Sequence, residues 1–384
     1  MPKTAYSTSF AREVDAIQLL ALVNGLQPDQ LDPKAEIPAD VRAFARSDVV
    51  CSSCGVAGAQ IVRPATGAKG QTLRQAHFRF ATDSGEDMHH PFCEFSGEDS
   101  PVKKRSEALV DFGTANTPET EQIRLLVCKG IARKDFDQST IRAMRQWFFD
   151  LKVANRFLVT ATPAVFDWFL MLVRTSFGIF PWDFAPEYGD LPGYDWREAA
   201  KRAFATENKD LLVAIRDLHQ PALRRGKALA AQHLGDDAFD PTVLEPRYAA
   251  ALDLATFLSV NGGIPWGKVK PIAYRWQGAP GSLLALSALL LFVSNWDKAE
   301  AIRLFSAIST SPTPSDLTLG NVIGLNPFHD YPAWKAVHLA SSIPADRPGG
   351  FNYFVELKSI EHRLRERHRL WAEARSGSAE ANSS

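Results

Sequence analysis

Three of the four cysteines in this 384-residue chain, Cys51, Cys54 and Cys93, and three of its nine histidines, His77, His89 and His90, lie between residues 51 and 93. The first two cysteines stand in VVCSSCG as a CxxC pair at the end of an apolar run. Such a pair bends into a knuckle that points both thiolates at one tetrahedral ion, and Gly55 eases the tight turn that follows. One knuckle is half of a closed site, so two more ligands must come from His77, His89, His90 and Cys93. A redox-active CxxC would open a helix in a βαβ unit, and no such pattern surrounds this one. The arrangement therefore predicts structural Zn2+, which would supply folding free energy to a glycine-dotted segment with a weak core of its own.

The stretches GAQIVRP and TLRQAHFRF flank the turn-like ATGAKGQ and predict a hairpin with a longer loop. Period-two alternation on its second strand puts Phe78 and Phe80 on one face, and His77 with Arg79 on the other. His77 is then the favoured histidine ligand. His89, at HxxxC spacing before Cys93, displaces it if residues 81–88 fold back. His90 is less favoured, because Pro91 stiffens the chain directly after it.

The order VVCSSCG, a strand pair, AHFRF and then PFCEF resembles the N-terminal zinc-binding module of bacterial competence protein CoiA-like proteins. The resemblance covers the chain to about Ser100 and implies that Cys51, Cys54, His77 and Cys93 correspond to the module's metal-site residues. One departure stands out: where the family motif HFxH has its second histidine, this chain has Phe80. Members of that family often carry a PD-(D/E)xK nuclease domain, and the match here would be Asp346, Glu356 and Lys358 in PADRPGGFNYFVELKS. Two carboxylates and a lysine can hold magnesium and polarise a water. Against that reading, Phe354, Leu357, Ile360 and Leu364 follow helical spacing, whereas the ExK of such nucleases lies on a strand.

Beyond the polar SGEDSPVKKRSE, helical signals take over. Thr117 and Pro118 open one helix that ends on Gly130, Ser139 caps a second in which Ile141, Met144, Phe148 and Leu151 recur, and further amphipathic runs continue to residue 374. The fold class expected is α+β: a small β-rich zinc-binding module over residues 1–105, a mainly α-helical domain over 106–374 and a frayed tail over 375–384. Apolar and charged contents of 45% and 23% are those of a globular chain. A net charge of −1 gives no global attraction to nucleic acid or anionic membrane. The apolar stretches 157–180 and 283–293 are interrupted or too short to span a bilayer, and predict buried helices. The N-terminus has no secretory pattern, and few cysteines clustered for metal fit a reducing, cytoplasmic setting.

Other motifs carry less chemistry. Cys128 in LLVCKG predicts a buried structural thiol, and His329–Asp330 in NPFHDYP a loop turn. GKVKP and EHRLRERHR are basic, but the second interleaves glutamates as a solvated helix does. Trp147, Trp168, Trp182 and Trp196 fit a core better than a base-stacking surface. With no phosphate-binding glycine loop and no acid, base and nucleophile set, the expectation is a non-enzymatic, zinc-binding bacterial component of a DNA-handling or mobile-element system, its partner DNA or a protein complex. A divergent metal-dependent nuclease is the alternative.

Overall fold

The structure is a computed structural model that describes residues 4–27, 30–31, 36–62, 65–66, 72–74, 76–93, 95–96, 118–175, 183–216, 218–264, 279–320, 326–344 and 350–381. Its short strands all precede residue 80 or bracket a single helical insertion, and helices dominate the rest, so the chain is the α+β protein the sequence predicts. In chain order the helices are α1 (Ala16–Val23), α2 (Ala39–Asp48), α3 (Pro118–Arg133), α4 (Gln138–Ala154), α5 (Pro163–Thr175), α6 (Trp196–Glu207), α7 (Lys209–Arg216), α8 (Gln220–His233), α9 (Glu245–Asn261), α10 (Gly281–Val293), α11 (Lys298–Thr310), α12 (Tyr331–Ser341) and α13 (Tyr353–Ala381). Two compact units share them. One comprises residues 1–156 and 239–329, the other 157–238 and 330–384. The division does not follow the expected boundary at residue 105.

In the first unit, β1 (Ala5–Ser7) is the central strand of an antiparallel sheet, between β2 (Arg12–Val14) and β3 (Val49–Val50). Asp15 caps α1 by accepting from the Ile17 and Gln18 amides, while Gln18 reaches back to the Asp15 amide in a capping box. The expected hairpin is present: β4 (Gln60–Val62) pairs antiparallel with β7 (His77–Arg79), and β5 (Ala65–Thr66) with β6 (Thr72–Arg74). Leu19, Val41, Val49, Ile61, Phe78, Phe80, Cys93 and Phe95 are buried in one cluster. The metal-site segment thus joins its aromatic residues to a core begun by α1, α2 and the first sheet.

Helix α4 ties this segment to the rest of the unit. Asp137, not Ser139, is its N-cap, accepting from the Thr140 amide, because the carboxylate takes both that donor and the Ser139 hydroxyl. Arg145 of α4 meets Glu13 at 2.8 Å with both side chains about 3% exposed, and Thr4 donates to the same carboxylate. Gln138 accepts from the Glu13 amide and donates to the Leu319 carbonyl. Arg142 lies over the Tyr6 ring, 4.5 Å from its centroid. Residues 138, 142 and 145 recur at helical spacing, so one face of α4 makes all of these contacts. Deeper in the unit, residues 282–291 of α10 are all buried, and α3, α9 and α11 pack around that helix. Among the described residues no helix is long and apolar enough to cross a membrane.

Among its described residues the second unit is helical apart from the short paired strands Arg156–Leu158 and Asp237–Phe239 at its margin. Phe166, Trp168, Phe169 and Leu172 of α5 centre its core, with Phe204, Leu223, Val337, Leu357 and Ile360 around them. Helix α8 packs closely on α12 at Gly226, where a Cβ would stand 2.8 Å from Phe166 and 3.1 Å from the Ala333 carbonyl. Helix α13 runs along α6 and continues to Ala381, so most of the expected tail is helical. Thr117, the GKVKP stretch, Trp182 and Asp346 lie outside the described residues.

The Glu13–Arg145 pair generates a stability prediction. Arg145→Ala leaves a buried carboxylate without its guanidinium and should cost about 3–5 kcal/mol. Glu13→Gln combined with Arg145→Met should recover much of that loss. Denaturant unfolding of the three proteins measures both values, and an Arg145→Ala cost below ~1 kcal/mol would show that the pair does not hold the segment to α4.

Candidate metal centre

The knuckle forms because the chain must reverse between β3 and β4. The Gly55 amide donates to the Cys51 carbonyl at 3.1 Å, the Cys51 amide to the Val56 carbonyl at 2.8 Å, and the Ser53 amide lies 3.4 Å from Cys51 Sγ. Gly55 and Gly58 have φ of +73° and +89°, in the region that glycine enters without strain. A Cβ on Gly55 would stand 3.5 Å from Gln146 Oε1 of α4, so that helix also limits the room beside the turn.

Asp48, the last residue of α2, holds the start of the knuckle in place. Its carboxylate accepts from the Ser7 hydroxyl, from the Thr8 hydroxyl at 2.6 Å and from the Ser9 amide at 2.7 Å. Burial pushes its pKa up, but these hydrogen bonds outweigh burial and leave the group below its ordinary value.

On the other side, the segment after β7 doubles back. Ala81 bridges to Asp87, the Thr82 amide donates to the Glu86 carbonyl and the Met88 amide to the Phe80 carbonyl, with Gly85 at φ +90° in the bend. The reversal lays His89 against Phe80, ring centroids 5.1 Å apart. A turn closed by the Cys93 amide on the His90 carbonyl then delivers Cys93.

Three sulfurs and one nitrogen meet as a result. The ligand atoms of Cys51, Cys54, His89 and Cys93 all lie within 4.8 Å of one another. Cys51 Sγ is 3.8 Å from Cys93 Sγ, and His89 Nδ1 is 3.4 Å from Cys54 Sγ and 3.5 Å from Cys93 Sγ. A tetrahedral ion with bonds of about 2.3 Å to sulfur and about 2.05 Å to nitrogen requires edges of about 3.8 Å between sulfurs and about 3.6 Å from sulfur to nitrogen. These three separations fit such edges and the remaining ones lie within 4.8 Å, so the four residues could hold a metal ion.

The electrostatics agree with that use. Burial pushes the Cys51 thiol up to about 12 and the Cys93 thiol well above its ordinary value. Cys54 is lowered, chiefly by hydrogen bonds from Cys51 and Cys93. An ion that binds all three sulfurs must displace the protons that burial favours on Cys51 and Cys93.

Of the sequence-derived ligands, the structure brings Cys51, Cys54 and Cys93 together and groups His89 with them rather than His77. His77 is buried on β7, paired across the sheet with Val62. Alternation placed it opposite the two phenylalanines, but it is not among the four donors that meet. HxxxC spacing was the signal for His89, and the fold-back of residues 81–88 meets its condition. His90 packs on Phe149 and its Nδ1 accepts from the Phe92 amide. Burial lowers its pKa.

The remaining candidates resolve as structure. Glu356 and Lys358 lie on α13, not on a strand. Cys128 is buried on α3 and donates to the Leu317 carbonyl at 3.3 Å. Asp330 precedes α12 with φ +53° and receives Arg225 at 2.7 Å. Trp168 is core, as expected. Searches of the chain against profiles of protein families, curated proteins and solved structures return no match.

Two predictions arise from the centre. Metal analysis should find one ion per chain; Cys51→Ser, Cys93→Ser and His89→Ala should each lower metal affinity by more than the roughly 10–100-fold that loss of an outer partner costs, while His77→Ala retains the ion. The opposite ranking of the two histidine variants would assign the site to His77. Asp48 gives a pH dependence. Because its folded pKa is depressed, its contribution is full at neutral pH and is lost as pH falls through that lowered value. Asp48→Ala should therefore cost about 2–4 kcal/mol at pH 7 and much less in acid, a difference that thermal unfolding at the two pH values will measure.

Proposed function

We propose that the ion is a structural Zn2+ held by Cys51, Cys54, His89 and Cys93, and that the chain acts by binding rather than by turnover. On this reading it is a DNA-associated, cytoplasmic component of a bacterial DNA-handling or mobile-element system. The observation that carries the structural role is the ligand set itself: four protein donors within 4.8 Å of one another would fill the positions of a tetrahedral ion and leave none for a substrate or an activated water. Three sulfurs and one imidazole favour zinc over hard cations, which prefer oxygen. Like the expected cytoplasmic, reducing setting, this ligand set requires thiols that stay reduced.

The link to DNA rests on the resemblance of VVCSSCG, AHFRF and PFCEF to the CoiA-like module. The fourth ligand would come from His89, and Phe80, where that motif has histidine, would serve as the surface against which the imidazole rests. A histidine is replaced by an aromatic support, and the ligand moves to the following loop.

The test uses purified, zinc-loaded full-length protein with labelled single- and double-stranded DNA. The expected result is stoichiometric zinc, DNA retention in a filter or anisotropy assay, and intact DNA after incubation with magnesium or manganese. Metal-dependent cleavage lost in Glu356→Ala would establish the nuclease reading instead. Absence of any DNA binding would remove the DNA-associated part and leave the zinc site standing.

A further inference from the structure

The three sulfurs of the metal centre are not equally sheltered. Cys51 is 0% and Cys93 5% exposed, whereas Cys54 is only half-buried, so solvent reaches the set through Cys54. The other two cysteines also differ in how they are tied to it. Cys51 belongs to the same turn, which the Gly55 amide closes on the Cys51 carbonyl at 3.1 Å and the Cys51 amide on the Val56 carbonyl at 2.8 Å. Cys93 arrives on the second arm, and its amide closes a turn within that arm, on the His90 carbonyl at 2.8 Å. All three sulfurs nevertheless lie within 4.8 Å of one another and of His89 Nδ1.

A cysteine bound to a cation is a thiolate, and thiolate character together with access decides which cysteine an oxidant attacks. A second sulfur within reach turns that first oxidation into a disulfide. Two sulfurs stand within reach of Cys54, and they are not equivalent. Cys51, three residues away in the same turn, stays beside Cys54 whatever the second arm does, and closing so short a loop costs little chain entropy. Cys93 stays near only while its arm remains docked.

We propose that Cys54 is the point at which a hydroperoxide attacks this chain, and that its oxidation ends in a Cys51–Cys54 disulfide that releases both the ion and the second arm. The proposal rests on the reading of the centre as a zinc site. In the first step the Cys54 sulfur attacks one oxygen of hydrogen peroxide; an S–O bond forms, the O–O bond breaks, and the departing hydroxide is protonated to water. The Cys51 thiolate then attacks the Cys54 sulfur; the S–S bond forms, the S–O bond breaks, and a second hydroxide leaves as water. The two thiolates supply the two electrons that reduce the peroxide, and solvent supplies both protons. Cys93 and His89, half of the ligand set, are too few to keep the ion. The disulfide locks the knuckle into its own turn and leaves residues 81–93 without the ligand bonds that joined them to it.

The test starts from full-length protein whose zinc content has been measured. It is treated with excess hydrogen peroxide beside a chromophoric zinc chelator, and its disulfides are mapped by mass spectrometry. Zinc should appear in step with the Cys51–Cys54 disulfide and should rebind when a dithiol reductant and zinc are added. Hydrogen exchange of the oxidised protein should show the Met88 and Cys93 amides losing protection, while the Cys51 amide, bonded to Val56 inside the locked turn, keeps its own. Cys54→His keeps four donors but removes the reachable sulfur, and should slow release about tenfold or more. If that variant holds no zinc, the disulfide map of the parent chain decides alone. A main disulfide that includes Cys93, release without any disulfide, zinc fully retained in peroxide, or release from a zinc-loaded Cys54→His as fast as from the parent would each overturn the proposal and leave the zinc site standing. A parent chain that never holds zinc would overturn the zinc reading, and this proposal with it.

Discussion

The arrangement of the first unit depends on where four donor atoms must stand. Three thiol sulfurs and an imidazole nitrogen are delivered from two reversals of the chain, one after β3 and one after β7. Each reversal is built so that its ligand has little freedom: glycines at positive φ turn the knuckle, and a bridge of Ala81 to Asp87 turns the second arm. Crowding three sulfurs out of water costs little while they are protonated and a great deal once they are ionised, unless a cation shares the space. Burial of Cys51 and Cys93 therefore suits a site whose thiolate charge is largely offset by a bound cation.

Helix α4 extends that constraint to the helices. One face meets the Glu13 carboxylate, the Tyr6 ring and the vicinity of Gly55, while Phe148 enters an aromatic group with Trp296 and Phe328. A divalent ion held by three thiolates and one neutral imidazole would carry a net charge of −1, and Arg142 of α4 lies beside the knuckle, 4.0 Å from where a Cβ on Gly55 would stand. The small strands alone would bury too little apolar surface to be stable, and the shared helix supplies the missing contacts.

Much of this was legible in the sequence because its signals are local. The CxxC knuckle, the hairpin of residues 60–79 and the buried character of α10 each follow from spacing within one stretch. The choice between His77 and His89 was not local. It depends on a turn at Gly85 and on Phe80 serving as a wall for the ring, and alternation along β7 says nothing about either. The cap of α4 was misplaced by two residues because Ser139 and Asp137 compete for the same role, and the carboxylate accepts more donors. The unit boundary was missed because a change in texture near residue 105 marks where strands give way to helices. It does not mark where one core ends, since α3, α4 and α9 to α11 share a unit with the strands.

That interleaving has a consequence for how the chain is made. The first unit is left at residue 156 and resumed at 239, and the second closes only with residues 330–384. At ribosomal speeds of about 5–20 residues per second, the metal-binding segment emerges many seconds before α9 to α11 arrive to complete its unit. During that interval the cysteines are held by local turns and by any ion they have captured. A nascent chain of this order gains from loading metal early, since the ion can keep the segment folded while its helical partners are still being synthesised.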